Sequence, residues 1–315
     1  MSLGKIEERK RPKVYLLGRR RNSLMEPLAY FAPKSLAQAL NLLQKHEGQG
    51  KIIAGGTDLI VRMKKGLMSP RVLMDITGIR ELRKIEHDEQ GGLIIGATTS
   101  LSDIAENPLI RATCPMIADA VGVIGSVQVR NLGTIGGNIC NASPAADSLP
   151  SLIALGGEIK IVSQAGTRWH DVEHFFVGPG QTVLKASEIV TEIRIPPVSP
   201  GTRSTYLKEG RVVGVDLAVV GVALALRMKN GGLCEHISIV LGAVAPTPIR
   251  VQTAESILRG REVSTDLIEK ASHICAEASQ PITDVRSSAE YRRRLVRILV
   301  KRGLEKLCHE ESDKG

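Results

Sequence analysis

The sequence contains few aromatic residues: three Phe, four Tyr and one Trp among 315 residues. Proteins that bind single-stranded nucleic acid stack successive bases on aromatic side chains, so the composition argues against that class. Long apolar runs are also missing, because the run from Leu217 to Leu226 is ten residues long and a membrane-spanning helix needs about 18 or more. The charged N-terminal stretch has no apolar signal segment. We therefore expect a cytoplasmic chain without a membrane span.

Cysteine pairs at metal-binding spacing are absent as well. The five cysteines lie at least 26 positions apart, so no C-x-x-C motif exists, and we expect buried, reduced thiols rather than a zinc or iron–sulfur site. His170 and His174 form the H-x-x-E-H pattern of some zinc proteases. That pattern binds metal only on a helix, where residues i and i+4 share a face. The glycine-containing segment FFVGPG follows at once, so we interpret the pattern as coincidence and predict no metal site.

The net charge of +9 is concentrated at the N-terminus. Residues 1–23 carry eight basic and two acidic side chains, a net charge of +6. Such a segment could dock an acidic partner, but it is more often a solvated extension. We therefore predict no nucleic-acid function from the charge.

The remaining sequence predicts an α+β chain in two parts. Ser35 and Ser102 are expected to begin helices, since each precedes an apolar pattern. The proline-rich stretch 196–201 is the strongest linker signal. Beyond it, apolar runs on both sides of Gly231-Gly232 predict an antiparallel meander followed by two helices.

The last predicted helix, SAEYRRRLVRILVKRGLEKL, is amphipathic. Its basic residues are expected on the solvent side, where Arg292–Arg294 could dock a partner protein. The residues expected on its apolar face are Tyr291, Leu295, Ile298, Leu299 and Leu304.

Two segments with paired glycines carry the functional signal: Ile52–Leu59, IIAGGTDL, and Thr134–Asn138, TIGGN. Each follows a β-like run. Glycine pairs allow backbone N–H groups to approach an anion closely, and Thr57, Thr134 and Asn138 add side-chain donors. Two such loops could hold a pyrophosphate from both sides, although a tight turn explains a Gly-Gly pair equally well. Neither segment is G-x-G-x-x-G or a P-loop, so a Rossmann or kinase interpretation has no support.

Read in order, these segments belong to a longer series of motifs. AGGTDLIVRMK is followed by IGATTSL, by TIGGN with Asp147 nine residues after Asn138, and by FFVGPGQTVLKASEIVTEIRIP. Tyr206-x-Lys208, Asp216-Leu217-Ala218, Asp284-x-Arg286 and Tyr291-Arg292 complete the series. On these motifs, which cover about residues 24–308, the chain closely resembles the FAD-binding (medium) subunits of the molybdenum hydroxylases. This is the family of xanthine dehydrogenase and carbon monoxide dehydrogenase.

The resemblance implies a fold. It is a two-subdomain FAD-binding domain of the vanillyl-alcohol-oxidase-like (PCMH) type, followed by a smaller α+β C-terminal domain with an antiparallel sheet and helices. We accordingly predict a basic extension at 1–23, the FAD-binding domain at 24–200, the C-terminal domain at 201–308 and a tail at 309–315.

The resemblance also implies the flavin-binding positions. They are Ile52, Ile53, Ala54, Gly55, Gly56, Thr57, Asp58, Leu59, Ile124, Thr134, Ile135, Gly136, Gly137, Asn138, Asp147, Val190 and Lys208. Ile124 stands where some relatives carry an aromatic residue. Other interpretations remain open: Asp147 could cap the helix that begins at Ser148, Val190 could be strand core, and Lys208 could be a solvated charge. A cation beside the isoalloxazine would favour the anionic reduced flavin.

The implied function is that of an oxidoreductase subunit. It relays electrons from the [2Fe–2S] clusters of an iron–sulfur small subunit through FAD to NAD or another acceptor, while a large subunit carries molybdopterin. Since the cofactors perform the redox chemistry, we assign no catalytic residue. Two alternatives stay open: a self-sufficient FAD-dependent oxidoreductase with its own substrate pocket, and a nucleotide-sensing or assembly protein of the same fold.

Overall fold

The computed structural model describes residues 13–15, 28–46, 48–212, 217–229 and 232–309. Most of the predicted basic extension, the tail after 309, Asp216 and Gly231 lie outside these residues. Within the predicted extension, a short strand at Lys13–Tyr15 pairs antiparallel with the strand Leu28–Phe31.

The first unit is a four-stranded sheet in the order β1-β2-β4-β3. A parallel core of β2, β4 and β3 carries the short strand β1 at its edge. Helix α1 begins where predicted, because the Ser35 hydroxyl accepts a hydrogen bond from the Gln38 N–H. The elements are β1 (Lys13–Tyr15), β2 (Leu28–Phe31), α1 (Leu36–Lys45), β3 (Gly50–Ile53), α2 (Leu59–Lys64) and β4 (Val72–Asp75).

The second unit packs six helices against an antiparallel sheet of order β5-β6-β11-β7-β8. Its core is mostly aliphatic, with Phe175 as the buried aromatic residue of the cluster. The helices are α3 (Leu101–Glu106), α4 (Pro108–Thr113), α5 (Pro115–Gly122), α6 (Val127–Leu132), α7 (Ile135–Asn141) and α8 (Ser148–Ala154). The strands are β5 (Ile85–His87), β6 (Leu93–Gly96), β7 (Glu158–Ser163), β8 (Gly166–Asp171) and β11 (Ile189–Ile195), with a separate hairpin of β9 (Phe176–Gly178) and β10 (Gln181–Thr182).

The third unit is the predicted antiparallel meander with helices. Its sheet runs β12-β13-β14-β15, and Lys208 lies opposite Gly221 in the register of the first pair. The elements are β12 (Thr202–Glu209), β13 (Val220–Lys229), β14 (Leu233–Gly242), β15 (Ile249–Arg250), α9 (Gln252–Leu258), α10 (Thr265–Ala278) and α11 (Ala289–His309).

Strand β13 is buried on both faces. Val222 and Leu224 pack in the core beneath α9–α11, whereas Ala223 points to the other side and joins the core of the second unit beside α8. A strand covered on both faces needs apolar residues at every position, which explains the continuous apolar run after Leu217.

The proline-rich stretch 196–201 connects β11 to β12, as expected of a linker. The sheet that begins with β12 nevertheless packs directly on the second unit, through contacts of β13 and β14 with α8. The four predicted segment boundaries remain predictions.

Two expectations about helices are wrong. Ser100, not Ser102, caps α3, because its hydroxyl accepts from the Asp103 N–H. Ser102 lies inside α3 and donates to Asn131.

The apolar face of α11 also differs from the prediction. Leu295, Leu299 and Leu304 are buried as expected, whereas Tyr291 and Ile298 are exposed. Arg292 is 1% exposed. Its guanidinium donates to the carbonyls of Val219 and Ala243 and pairs with Asp284. Arg292 therefore connects α11 to the sheet through hydrogen bonds and is not available for docking.

We expect Arg292→Leu to lower the free energy of unfolding by roughly 3 kcal/mol. The substitution leaves two carbonyls without the Arg292 donor and removes one partner of a partly buried ion pair. Arg293→Leu, at the exposed neighbouring position, is the control and should change stability by less than about 0.5 kcal/mol. Urea denaturation of both variants measures the difference. Equal stability of the two variants would show that the Arg292 contacts are dispensable.

Candidate functional site

A cavity of about 850 Å³ lies where the loop after β3, the start of α7 and the segment from β10 to β11 meet. Its walls contain most of the predicted positions. Those that line it are Ile52, Ile53, Ala54, Gly55, Gly56, Thr57, Asp58, Leu59, Ile124, Thr134, Gly136, Gly137, Asn138 and Val190. Three predicted residues lie outside the lining: Ile135, which is fully buried, Asp147 and Lys208. The structure thus brings the two glycine segments to one site.

The first glycine loop offers backbone donors to the cavity. None of the hydrogen bonds between described residues uses the N–H groups of Gly55, Gly56, Thr57 or Asp58. Gly56 has a φ of +70°, a conformation that residues with a Cβ rarely adopt. Adjacent N–H groups that the fold leaves unpaired and partly accessible suit an anionic ligand.

Gly55 is required by the protein itself. A Cβ there would lie 1.9 Å from the carbonyl oxygen of Leu132 and 2.9 Å from the Cα of Gly133. The loop after β3 therefore touches the backbone that leads into the second glycine segment. This close contact, rather than a ligand, explains the first glycine of the pair.

The second glycine segment is built differently from the prediction. It follows helix α6 instead of a strand, and it forms the first turn of α7 with Thr134 as the N-cap. Ile135 and Gly136 donate their N–H groups to Thr99 and Ala97, and Gly137 and Asn138 donate theirs to Thr134. The glycine pair of this segment therefore does not present free backbone donors as expected, because the N–H groups of Ile135 to Asn138 are already used.

The glycines of the second segment have separate roles. Gly136 is buried, and a Cβ on it would lie 2.7 Å from Ala97, so packing requires it. Gly137 is exposed and lines the cavity. A Cβ on Gly137 would meet the Thr134 hydroxyl oxygen at 2.9 Å, and side-chain atoms beyond it would occupy cavity space.

Asp147 and Lys208 form a buried network behind the cavity wall. Asp147 is 4% exposed and, although it precedes α8, its side chain makes no capping bond. Its two oxygens accept from the Tyr206 hydroxyl at 2.7 Å and from the Lys208 ammonium at 2.9 Å. Lys208 also donates to the carbonyl of Val123. The interpretations of Asp147 as a helix cap and of Lys208 as a solvated charge are therefore wrong.

Burial governs the protonation of this network. Desolvation raises the pKa of Asp147 above its usual value, although the charge of Lys208 and the hydrogen bonds from Lys208 and Tyr206 pull it down. Burial and the neighbouring carboxylate raise the pKa of Tyr206 well above its usual value. Tyr206 therefore acts as a hydrogen-bond donor throughout the physiological range.

The apolar part of the wall includes Ile124 and Val190. Val190, on β11, is 4% exposed, so it belongs to the core and to the cavity wall at once. Ile124 is half-buried, and its carbonyl is held by the guanidinium of Arg130. These side chains suit a flat, apolar ligand surface rather than a charged one.

The sequence reasoning missed a set of cations at the cavity. Lys51, Arg62 and Lys185 line it, and Lys51 and Arg62 form no ion pair with any described residue. The nearby Glu188 is neutralised by Arg168 at 3.0 Å. No local motif marks these cations, because they come from β3, α2 and the segment before β11. Their charge favours an anionic ligand.

Cys140 lines the cavity but is not a reactive thiol. Burial raises its pKa to about 12, so the thiol stays protonated near neutral pH. Among the described residues, no group of three or more His, Cys, Asp or Glu side chains could hold a metal ion. His170 lies on β8 and His174 in a 3-10 turn, so they do not share a helix. No helix in the described part of the chain has the length and apolar character of a membrane span.

Two family models match the chain. Residues 25–198 match the FAD-binding domain in molybdopterin dehydrogenase, and residues 205–307 match the C-terminal domain of the CO dehydrogenase flavoprotein.

Two relatives from the same family are similar to this chain over most of its length. The carbon monoxide dehydrogenase medium chain of Hydrogenophaga pseudoflava is 35% identical over 275 residues, which are 87% of this chain and 95% of the relative. The putative xanthine dehydrogenase FAD-binding subunit of Escherichia coli is 31% identical over 87% of this chain and 94% of its own length.

Solved structures give the same result. The carbon monoxide dehydrogenase from Hydrogenophaga pseudoflava superposes with a TM-score of 0.85, covering 88% of this chain and 96% of that chain at 35% identity. Quinoline 2-oxidoreductase from Pseudomonas putida superposes with a TM-score of 0.84 at 27% identity, covering 90% and 97%.

The network behind the cavity gives a pH-dependent prediction. Because the pKa of Asp147 is raised in the folded chain, ionising Asp147 costs stability as pH rises through that pKa. The Tyr206 hydroxyl offsets part of this cost. We expect Tyr206→Phe to lower the unfolding free energy by about 1–3 kcal/mol at pH 7, and by less at acidic pH, where Asp147 is protonated.

Urea denaturation at a series of pH values measures this effect. Tyr291→Phe, at an exposed position on α11, is the matched control and should be neutral at every pH. A Tyr206→Phe penalty that does not grow with pH would contradict the coupling to Asp147.

Proposed function

The chain belongs to the family of FAD-binding medium subunits of molybdenum hydroxylases, and from this premise we propose that it relays electrons from partner iron–sulfur clusters to an external acceptor such as NAD. Its relatives are subunits of dehydrogenases and related oxidoreductases. The observation that carries the proposal is the cavity between the two glycine segments. Its shape and chemistry fit the flavin dinucleotide that the family binds.

The fit rests on what lines the cavity. A dinucleotide combines a pyrophosphate with flat apolar rings. The unpaired N–H groups from Gly55 to Asp58 and the charges of Lys51 and Arg62 suit the pyrophosphate. Ile124 and Val190 supply apolar wall. A volume of about 850 Å³ lies within the usual range for ligand pockets, roughly 300–1,000 Å³.

We assign the contacts accordingly. The first loop holds the pyrophosphate mainly through its backbone. The second segment contributes the Thr134 and Asn138 side chains, since the N–H groups of Ile135 to Asn138 are used within the fold. Asp147 and Lys208 act from behind the wall, where they join the cavity-lining segment at Ile124 to β12. We retain domain limits of 24–200 and 201–308, which the extents of the two family models support.

The chain's own residues bind and position the cofactor. Bound FAD supplies the redox chemistry. The partners in this proposal are an iron–sulfur small subunit and a molybdopterin-carrying large subunit, and the substrate pocket lies in the large subunit. No side chain of this chain has to act as acid, base or nucleophile. The neutral Cys140 thiol agrees with this passive role.

Gly137→Val tests the cofactor assignment. The valine branches would enter the cavity beside Thr134, so we expect FAD affinity to fall by at least about tenfold, which corresponds to about 1.4 kcal/mol. Titration of the flavin-free protein, followed by flavin fluorescence, measures the affinity. Chromatography of the flavin released from wild-type protein should show FAD and not FMN.

The control is Gly122→Ala in α5. A Cβ there would lie 3.9 Å from Ala105, an ordinary contact, and Gly122 does not line the cavity. The Gly122→Ala variant should therefore bind FAD with wild-type affinity. Gly56→Val is a poorer test because the positive φ at Gly56 would strain any side chain. Full FAD affinity in Gly137→Val, or release of FMN alone, would contradict the assignment.

The relay role predicts partial activity for the isolated chain. The FAD-loaded protein should be reduced by dithionite under anaerobic conditions and reoxidised by an artificial acceptor, because the bound flavin is redox-active. It should not oxidise a purine, an aromatic acid or an aldehyde, because that chemistry belongs to a partner subunit. Dye reduction with each substrate measures this. Steady substrate turnover by the metal-free chain would instead support a self-sufficient flavoenzyme.

A further inference from the structure

A buried serine contacts one of the polar side chains of the cavity from behind. Asn138 lines the cavity and is half-buried. The Ser148 hydroxyl, on the first residue of α8, donates to the Asn138 side-chain oxygen at 2.5 Å. Ser148 is 1% exposed and does not line the cavity. The serine therefore touches the wall residue without reaching the ligand space.

This bond occupies the oxygen end of the Asn138 carboxamide. A carboxamide has an oxygen that accepts and an NH₂ group that donates. With its oxygen bound to Ser148, Asn138 keeps its NH₂ group, which makes no hydrogen bond with any described residue. The backbone N–H of Asn138 is already bound to Thr134. The side-chain NH₂ is thus the donor that this residue can offer to a ligand.

The serine itself is held rigidly. All seven residues of α8 are buried, so the helix cannot shift without disturbing the core. The preceding Asp147 is tied to the third unit through Tyr206 and Lys208. A hydroxyl fixed in this way can hold the Asn138 carboxamide in one orientation before a ligand arrives, which reduces the ordering cost of binding.

We propose that Ser148 is a positioning residue that orients the Asn138 carboxamide as a hydrogen-bond donor to an acceptor oxygen of the bound dinucleotide. The proposal rests on the proposed function, since it takes FAD as the ligand. Ser148 does not touch FAD, and its effect passes through Asn138.

The first experiment compares Ser148→Ala with Ser151→Ala. Ser151 lies one turn further along α8, is equally buried, and its hydroxyl has no partner among the described residues. Without Ser148, the carboxamide can rotate and present its oxygen. We expect Ser148→Ala to weaken FAD binding by about five- to tenfold, the effect of one hydrogen bond, whereas Ser151→Ala stays within about twofold. Flavin fluorescence titration measures both, and circular dichroism checks the fold.

A double-mutant cycle separates positioning from a general structural effect. In an Asn138→Ala background the carboxamide is gone, so Ser148→Ala should change FAD affinity by less than about twofold. If Ser148→Ala loses the same factor in that background, the effect does not pass through Asn138 and the proposal is overturned.

Asn138→Asp tests the polarity of the contact. The aspartate can still accept from Ser148, but it presents a carboxylate oxygen where the NH₂ group was. We expect FAD binding at least about tenfold weaker. Wild-type affinity in Asn138→Asp would overturn the proposal even if Ser148→Ala proves too unstable to assay. If wild-type protein itself binds no FAD, the proposed function fails and this proposal fails with it. Wild-type binding with an unaffected Ser148→Ala overturns only the role of Ser148.

Discussion

The candidate site depends on one backbone contact, the approach of Gly55 to the carbonyl of Leu132. Because a Cβ on Gly55 would lie 1.9 Å from that oxygen, only glycine allows the loop after β3 to meet the segment between α6 and α7. This contact joins the parallel sheet to the helical part of the second unit, and the cavity lies beside it. A ligand that touches both segments therefore binds across two units of the fold, and the site exists only when they are docked.

The two glycine segments differ in how their backbone N–H groups are used. Residues Ile135–Asn138 use their N–H groups to build the first turn of α7 and to join it to Ala97 and Thr99, so these groups are not available to a ligand. The loop after β3 keeps its N–H groups unpaired. The two segments are complementary, because one offers unpaired backbone donors and the other offers the side chains of Thr134 and Asn138.

The sequence predicted the helices and strands that depend on residues close to one another in the chain. The Ser35 cap, the α10 and α11 helices and the antiparallel meander follow from capping and periodicity. The prediction failed where a side chain's position depends on residues far away in the sequence. Periodicity placed Arg292 on the surface, but its partners are the carbonyls of Val219 and Ala243, which no pattern within α11 reveals. The cations at the cavity were missed for the same reason. The two glycine segments were found because each is locally unusual, whereas their different hydrogen bonding depends on the tertiary contacts of Ala97 and Thr99.

The ionisable groups of the cavity wall indicate what kind of site this is. Burial tends to raise the pKa of Glu188, but the bonds from Arg168 and from the Lys185 N–H outweigh it, so the pKa is lowered. Burial raises the pKa of Cys140 to about 12. Both shifts move the pKa of the group away from neutral pH, whereas general acid–base catalysis needs a pKa near the working pH. A wall that keeps Glu188 charged and Cys140 neutral holds these two groups constant beside a ligand. Such constancy suits a redox cofactor, because its potential then depends on the ligand and the fixed charges and not on protonation of the wall.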